Sequence, residues 1–412
     1  MGERPGASEG PLAGLRVLDL TRLLPGGFCT LLLADLGADV VKVEDTGAGD
    51  YLRWSPPFYE GPQEGARSAH FIALNRNKRS IRVDLRNEHG REALLALVRS
   101  ADVLVESFRP GVLERLGVGY ERCAAENERL VWCSISGYGQ SGPLRERAGH
   151  DLNYLAAGGL LALSGEREGP PLQCAGQIAD LGGGALMALV GVFAALRERD
   201  GAPGQPGSGR GQQVDVAMFD GALSWLALPA ARYFATGVAP RRGEVELAGG
   251  LLCYRPYRCA DGYVALGALE EKFWRAFCTG VEREDLLPHQ FDPPGSEAHG
   301  QLEEIFAERT RAEWEQFAAA HDCCLEVVRE LDEALAGEQV AAREMVVDVP
   351  QPGAAGAVRA LGTPVKLSRT PAQADRLPAP APGQHTRELL AEAGYSEAQI
   401  SRLIEEGALG GS

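Results

Sequence analysis

The sequence predicts an α/β protein, with a mostly parallel sheet covered by helices on both faces and a smaller α+β domain attached. Three observations carry this expectation. At 412 residues the chain exceeds the size at which a single core stops growing. Short apolar runs of strand type alternate with helically spaced segments through its first half. A hairpin signature then opens a second unit after residue 250.

Residues 1–10 are polar and contain Gly and Pro, a composition that leaves a chain end frayed. Residues 15–20 (Leu-Arg-Val-Leu-Asp-Leu) form a short apolar strand, 28–36 have helical spacing, and 39–44 (Asp-Val-Val-Lys-Val-Glu) form a second strand. This is a βαβ unit. The pattern recurs with an alternating strand at 80–85, a helix at 90–100, a buried strand at 101–106 and, after a polar helix, another at 130–135. Parallel strands joined by helices are buried on both faces, hence the nearly continuous apolar runs. A small-residue-rich apolar helix occupies 179–198 until the Gly/Pro/Ser loop 203–211 ends it. Residues 212–218 read as a strand, 219–234 as a helix and 237–249 as a loop. The hairpin pairs 251–258 with 263–266 across Ala260-Asp261-Gly262, and helical patterns follow at 270–280, 299–307, 311–321 and 329–335. The Pro/Ala-rich stretch 371–383 is an extended connection to a last helix near 386–405.

Bulk properties exclude several classes of function. A net charge of −16 argues against nucleic-acid binding, because phosphate backbones reward a basic face. No apolar run reads as long enough to cross a bilayer and no signal peptide opens the chain, so the expected location is cytoplasmic, away from membranes. The closing Leu-Gly-Gly-Ser carries no peroxisomal or lipidation signal. Nine cysteines, without CxxC pairs or Cys/His metal spacing, read as reduced core thiols, and no metal site is expected. Vicinal Cys323 and Cys324 do not bridge with relaxed geometry. His70, His89, His289, His299, His321 and His385 have no partner motif and read as surface or structural residues.

An anionic ligand of so acidic a chain needs a local basic patch. Residues 76–86 supply one, with Arg76, Lys78, Arg79, Arg82 and Arg86 against Asp84 alone, although such a run by itself also reads as a solvated strand edge. The most distinctive stretch is Gly137-Tyr-Gly-Gln-Ser-Gly142 followed by Gly149-His150-Asp151-Leu-Asn153-Tyr154. Glycines there let backbone N–H groups approach a ligand, and a His at a loop-to-helix junction can present its ring to a cleft. Further on, Ala179-Asp180-Leu-Gly182-Gly183-Gly184 places an acid at a helix start, where Asp is a good N-cap. Capping does not explain three consecutive glycines, each costing about 1 kcal/mol against Ala in a helix interior. They suggest close approach of a bulky ligand.

These stretches resemble the class III CoA-transferase family and, within it, the α-methylacyl-CoA racemases. The resemblance extends over nearly the whole chain, through 14–20, 24–28, 34–40, Asn77-Lys-Arg-Ser80, Phe108-Arg-Pro-Gly111, Glu114-Arg-Leu-Gly117, the His150 and Asp180 motifs, 211–215 and Gly267-Ala-Leu-Glu270 with its sequel to Phe273. It implies a Rossmann-like large domain over 1–210, a linker over 211–240, a small domain over 241–345 and a return of 346–412 to the large domain. It also implies an interlocked homodimer. In the family's transferases the residue matching Asp180 attacks the thioester and forms a covalent aspartyl intermediate. In its racemases that residue carries a proton, opposite a histidine matching His150. The Glu matching Glu270 would hydrogen-bond the histidine, reaching it from the partner chain.

The implied reaction inverts the α-carbon of a 2-methylacyl-CoA by 1,1-proton transfer through an enolate. Removing a proton from one face and returning one to the other requires two groups on opposite sides of the carbon, and a His with a carboxylate suffices. No cofactor beyond the CoA of the substrate is expected. Backbone N–H groups at Gly182 to Gly184 would stabilise the enolate oxygen. For the coenzyme, the resemblance places Lys78 and Arg79 on the phosphates, Arg109 and Arg115 nearby, and Asp151 and Tyr154 against the pantetheine or adenine end. Asp151 equally reads as a second N-cap. The alternative reaction moves CoA between carboxylic acids with Asp180 as nucleophile, and a non-enzymatic alternative is a CoA-binding regulator. The racemases carry a Cys-Val-Thr-Pro-Val-like stretch where this chain has Cys324-Leu-Glu-Val-Val328, and the 237–249 segment is longer and more charged than theirs. Both departures put the acyl specificity in question.

Overall fold

A computed structural model describes residues 10–59, 68–352 and 356–411. The expected frayed start lies outside the described residues up to position 9. Two compact units emerge, and their boundaries differ from the expected ones. The larger takes the described residues of 1–154, 176–222 and 338–412, and the smaller takes 155–175 and 223–337.

The larger unit is built on a seven-stranded sheet. Its strands are β1 (Arg16–Leu20), β2 (Asp39–Glu44), β3 (Lys78–Val83), β4 (Val103–Glu106), β5 (Val131–Ser136), β6 (Gln213–Ala217) and the short C-terminal β12 (Leu409–Gly410). The spatial order is β12-β3-β2-β1-β4-β5-β6. All neighbours are parallel except β12, which runs antiparallel along β3. This 3-2-1-4-5-6 order is the doubly wound nucleotide-binding topology. Every residue of β1, β4 and β5 is buried, as both faces of a helix-covered parallel sheet must be.

Helix α1 (Leu24–Asp35) follows β1, α2 (Asp151–Ala157) carries the His150 motif, and α3 (Ile178–Asp200) the Asp180 motif. Helix α3 opens with a π-helical stretch, Ile178–Leu186, before becoming α-helical. It is long and apolar enough to cross a membrane, contrary to the sequence expectation. Half of that apolar window is buried inside the protein, in a helix that packs on α1, β5 and β6, and this packing explains its composition.

The segment 211–240 is not a linker. It supplies edge strand β6 of the sheet, then α4 (Met218–Ser224) and α5 (Ala227–Thr236). The single helix expected at 219–234 breaks because Pro229, lacking an N–H, can sit only in the first turn of a new helix. The smaller unit holds a three-stranded antiparallel sheet of β7 (Tyr254–Cys259), β8 (Gly262–Gly267) and β9 (Leu325–Val327), flanked by helices that include α6 (Glu271–Gly280). Its core is aromatic, with Phe277 and Phe306 stacked at 5.3 Å and Trp314 at 4.8 Å from Phe306. In the larger unit, β10 (Val346–Pro350) and β11 (Ala357–Leu361) pair as an antiparallel ribbon where the sequence showed no strands. The last helix proves to be two, α7 (Thr386–Glu392) and α8 (Glu397–Glu405), separated by Gly394 at φ +92°.

Candidate active site

In a doubly wound sheet, ligands bind beyond the C-terminal ends of the strands, where the strand order reverses. Here the reversal lies between β1 and β4. A cavity of about 360 Å³ opens at the ends of β1, β2 and β3, lined by residues that include Leu20, Arg22, Asp45, Arg86, Phe108 and Leu116. Arg22 donates its backbone N–H to Ser107 Oγ at 3.2 Å, pairs with Asp45 and lies 5.1 Å from the Tyr51 ring. Arg86 pairs with Asp84 at 2.9 Å and is largely exposed. Sequence reasoning missed Arg22, although its place directly after the first strand was the available signal. Below Phe108, the buried Glu106 accepts the Phe108 N–H at 2.8 Å, and burial pushes its carboxyl up to about 7.

The His150 and Asp180 motifs meet. His150 is the cap of α2: its N–H donates to Asn153 Oδ1 at 3.0 Å and its carbonyl accepts from Asn153, while its imidazole is exposed. The next residue, Asp151, turns inward and is 2% exposed. Its Oδ1 accepts the Ala179 N–H at 2.6 Å and the Asp180 N–H at 3.0 Å, so one turn of α2 caps the start of α3. Asp180 stands in the first turn of the π-helical stretch, a geometry that recurs at functional sites. Burial pushes its carboxyl up to about 6, the neighbouring Asp151 adds to the rise, and His150 pulls against it.

The glycines have a different task from the one expected. A Cβ on Gly137 or Gly149 would come within 2.7 Å of the Tyr154 ring, whose hydroxyl donates to the Gly149 carbonyl at 2.6 Å. Their absent side chains accommodate Tyr154. Likewise a Cβ on Gly183 would meet the Met218 carbonyl at 2.8 Å, and one on Gly184 the Met218 side chain at 2.9 Å. The close neighbour of Gly183 and Gly184 is helix α4, and Gly182 to Gly184 are buried within α3.

The basic run also needs correction. Lys78 is fully buried, donating to Asp19 Oδ2 at 3.0 Å, Thr30 Oγ1 at 2.7 Å, Asn75 Oδ1 at 3.0 Å and the Gly27 carbonyl at 3.2 Å. Arg79 is held by Asp39 at 2.7 Å, Glu388 at 2.8 Å and Glu392 at 2.7 Å. Neither cation reaches a phosphate without dismantling these bonds. Arg109 and Arg115 are exposed; Arg109 acts on the Tyr154 hydroxyl, which burial and then Asp180 push up to about 12. Arg115 and the unforeseen Arg145 both lie against Gly111. Asp151 is a cap and not an exposed ligand group. In the smaller unit, Glu270 precedes α6 with its side chain exposed and making no capping bond.

A family model for CoA-transferase family III matches residues 12–386. The chain belongs to CoA-transferase family III. It is 35% identical over 407 residues to an α-methylacyl-CoA racemase of Mus musculus, covering 95% of this chain and 96% of the relative. It is also 36% identical over 406 residues to a succinyl-CoA:mesaconate CoA-transferase of Haloarcula marismortui, with 93% and 97% covered. A CAIB/BAIF family protein from Brucella suis shares the fold at a TM-score of 0.78 and 33% identity, with 93% of this chain and 99% of that one aligned. Family III members thus include enzymes named as racemases and enzymes named as transferases.

Proposed function

We propose that this family III member is a racemase, inverting the α-carbon of 2-methylacyl-CoA thioesters by 1,1-proton transfer. The observation that carries this reading is the junction at which Asp151, the residue after His150, accepts the Asp180 N–H at 3.0 Å and joins the two motifs, with the Asp180 carboxyl pushed up by burial to about 6. A general acid/base is most effective when its pKa lies near the working pH, whereas a carboxylate nucleophile gains nothing from being held protonated. In one direction His150 removes the α-proton and the Asp180 carboxylic acid protonates the opposite face. In the other, the Asp180 carboxylate removes it and the imidazolium returns one. The proton count balances over each turnover, and the reaction asks for no cofactor beyond the substrate's CoA.

The nucleotide end of the CoA is assigned to the cavity at the ends of β1 to β3, where Arg22 and Arg86 offer cations. Arg109 and Arg115, both exposed, serve the same anion from beyond β4. The reading includes an interlocked homodimer in which Glu270 orients His150 of a second copy. Its support is exposed apolar surface of the kind a second chain covers: Leu186, Val190 and Phe193 along α3, and Leu228 and Phe234, 68% and 81% exposed, on α5. The deciding experiment incubates the protein with 2-methylacyl-CoAs in deuterated water without an acceptor acid. Exchange of the α-hydrogen is expected. A hydroxylamine-trappable acyl-enzyme and CoA transfer between two acids, without exchange, would replace this reading with the transferase.

A further inference from the structure

We propose that Asp151 is the positioning residue of the acid/base pair, fixing Asp180 through two backbone N–H bonds and supplying, from its unpaired buried oxygen, the field in which Asp180 exchanges its proton. The inference rests on the racemase reading and deepens it. Asp151 follows His150 in the chain, so one helix start both carries the imidazole and clamps the backbone of Asp180. A shift of this turn would displace both groups together, which suits a reaction that needs them at fixed separation across one carbon.

The electrostatics follow from the same geometry. Oδ1 of Asp151 accepts two N–H groups at the start of α3, while Oδ2 is buried without a hydrogen-bond partner among the described residues. A carboxyl beside another carboxyl holds its proton more tightly. At Asp180 burial comes first and Asp151 adds to it, raising the carboxyl to about 6. The other groups around it are His150, which opposes the effect, and Tyr154 with Arg109 beyond. The elements packed on α3 bring Cys29 from α1, Cys133 from β5, Asp215 from β6 and Asp220 from α4. Among the described residues, the charges that act on Asp180 beside its own burial are Asp151, which raises it, and His150, which lowers it.

A purely structural cap and a field-setting carboxylate part company at Asp151→Asn, which keeps an oxygen for the two N–H groups and removes the charge. The full-length variant, carrying ¹³C-carboxyl aspartate, is titrated by NMR, with the Asp180 signal assigned through Asp180→Asn. The Asp180 midpoint should fall by about one pH unit, the acid limb of kcat should move with it, and kcat at pH 7 should drop roughly tenfold at nearly unchanged KM. Asp151→Ala, which also loses the acceptor, should fall further, on the order of a hundredfold. An unmoved Asp180 midpoint in folded Asp151→Asn overturns the proposal. So does a large rise in KM at constant kcat, which would make Asp151 a contact for the coenzyme. The titration needs no turnover, so absence of exchange in the unmodified protein would sink the racemase reading alone.

Discussion

Two regions of the larger unit hold buried charge, and they treat it in opposite ways. On β1, β2 and β3, Asp19, Lys42, Glu44, Lys78 and Arg79 are buried, and each meets opposite charge at close range. Burial works against the Asp19 carboxyl, and Lys42 and Lys78 more than offset it, holding it well below the usual range. At the start of α3, Asp151 accepts the Asp180 N–H, and among the described residues no cation closes on the Asp180 carboxyl, which burial and then Asp151 drive upward against the pull of His150. Charge that meets counter-charge at close range becomes architecture, held by its partners even where, as at Lys78, burial brings the ammonium down to about 8 against the pull of Asp19. Incompletely paired charge remains able to move a proton near neutral pH. The difference lies in partners and not in residue type.

Substitution should separate the two regions most sharply. Asp180→Asn is expected to lower α-hydrogen exchange by roughly 10²- to 10⁴-fold, the range for loss of a positioned acid/base, without lowering the thermal midpoint. Since burial raises the folded carboxyl above its unfolded value, Asp180 costs stability at neutral pH, and its removal relieves that cost. Lys78→Met should do the reverse. Leaving Asp19 without its closest cation should cost about 3–5 kcal/mol in urea unfolding, with kcat per folded molecule retained. A stable Lys78→Met protein with a raised KM for acyl-CoA would return Lys78 to the coenzyme and erase the contrast.

The two regions should also fail at different pH. Glu44, opposed by burial but held bidentately by Arg53, is kept down at about 2, so its contribution is complete above its unfolded value near 4.5 and is lost as pH falls toward 2. Asp180 titrates near 6. Exchange driven by the Asp180 carboxylate should therefore fall about tenfold between pH 7 and 5 while near-UV circular dichroism stays native, and unfolding should follow only below about pH 4. Glu106, pushed up by burial to about 7, is another group in that window, and Glu106→Gln should leave the acid limb in place. Coincident loss of activity and structure would show that a single network controls both.

The sheet was legible because strands buried on both faces write themselves as apolar runs, as Asp39–Glu44 does. The ribbon Val346–Pro350 with Ala357–Leu361 was not, since its two short strands alternate weakly and flank a Gly/Ala stretch. Strand β6 was recognisable as a strand, but nothing local told which sheet it would join. His150 and Asp180 were found through their motifs, and the structure adds that Asp151 joins them. The basic run misled because its partners are remote: Asp19 lies 59 residues from Lys78, and Glu392 lies 313 from Arg79. A run of cations discloses its charge and conceals its counter-charges. The glycines at 183 and 184 correctly signalled a close neighbour, but composition could not say whether that neighbour was a ligand or helix α4.

The smallest expected effect tests where the coenzyme's charge is met once Lys78 and Arg79 are removed from that role. Arg86 is the member of the run left at the cavity rim, with its side chain 77% exposed and, among the described residues, paired to Asp84, two residues away in sequence. A rim cation contributes through a screened, solvent-weakened attraction, so Arg86→Ala should raise the KM for acyl-CoA about two- to fivefold and leave kcat unchanged. The rise should shrink as salt is added, and it should vanish for an acyl-pantetheine thioester, which has no nucleotide to bring to the cavity. Equal losses for both substrates would move the nucleotide elsewhere, with Arg115 and Arg145 around Gly111 as the next cations to remove. A loss confined to the full coenzyme would leave the buried run as scaffold and its one exposed end as the binding group.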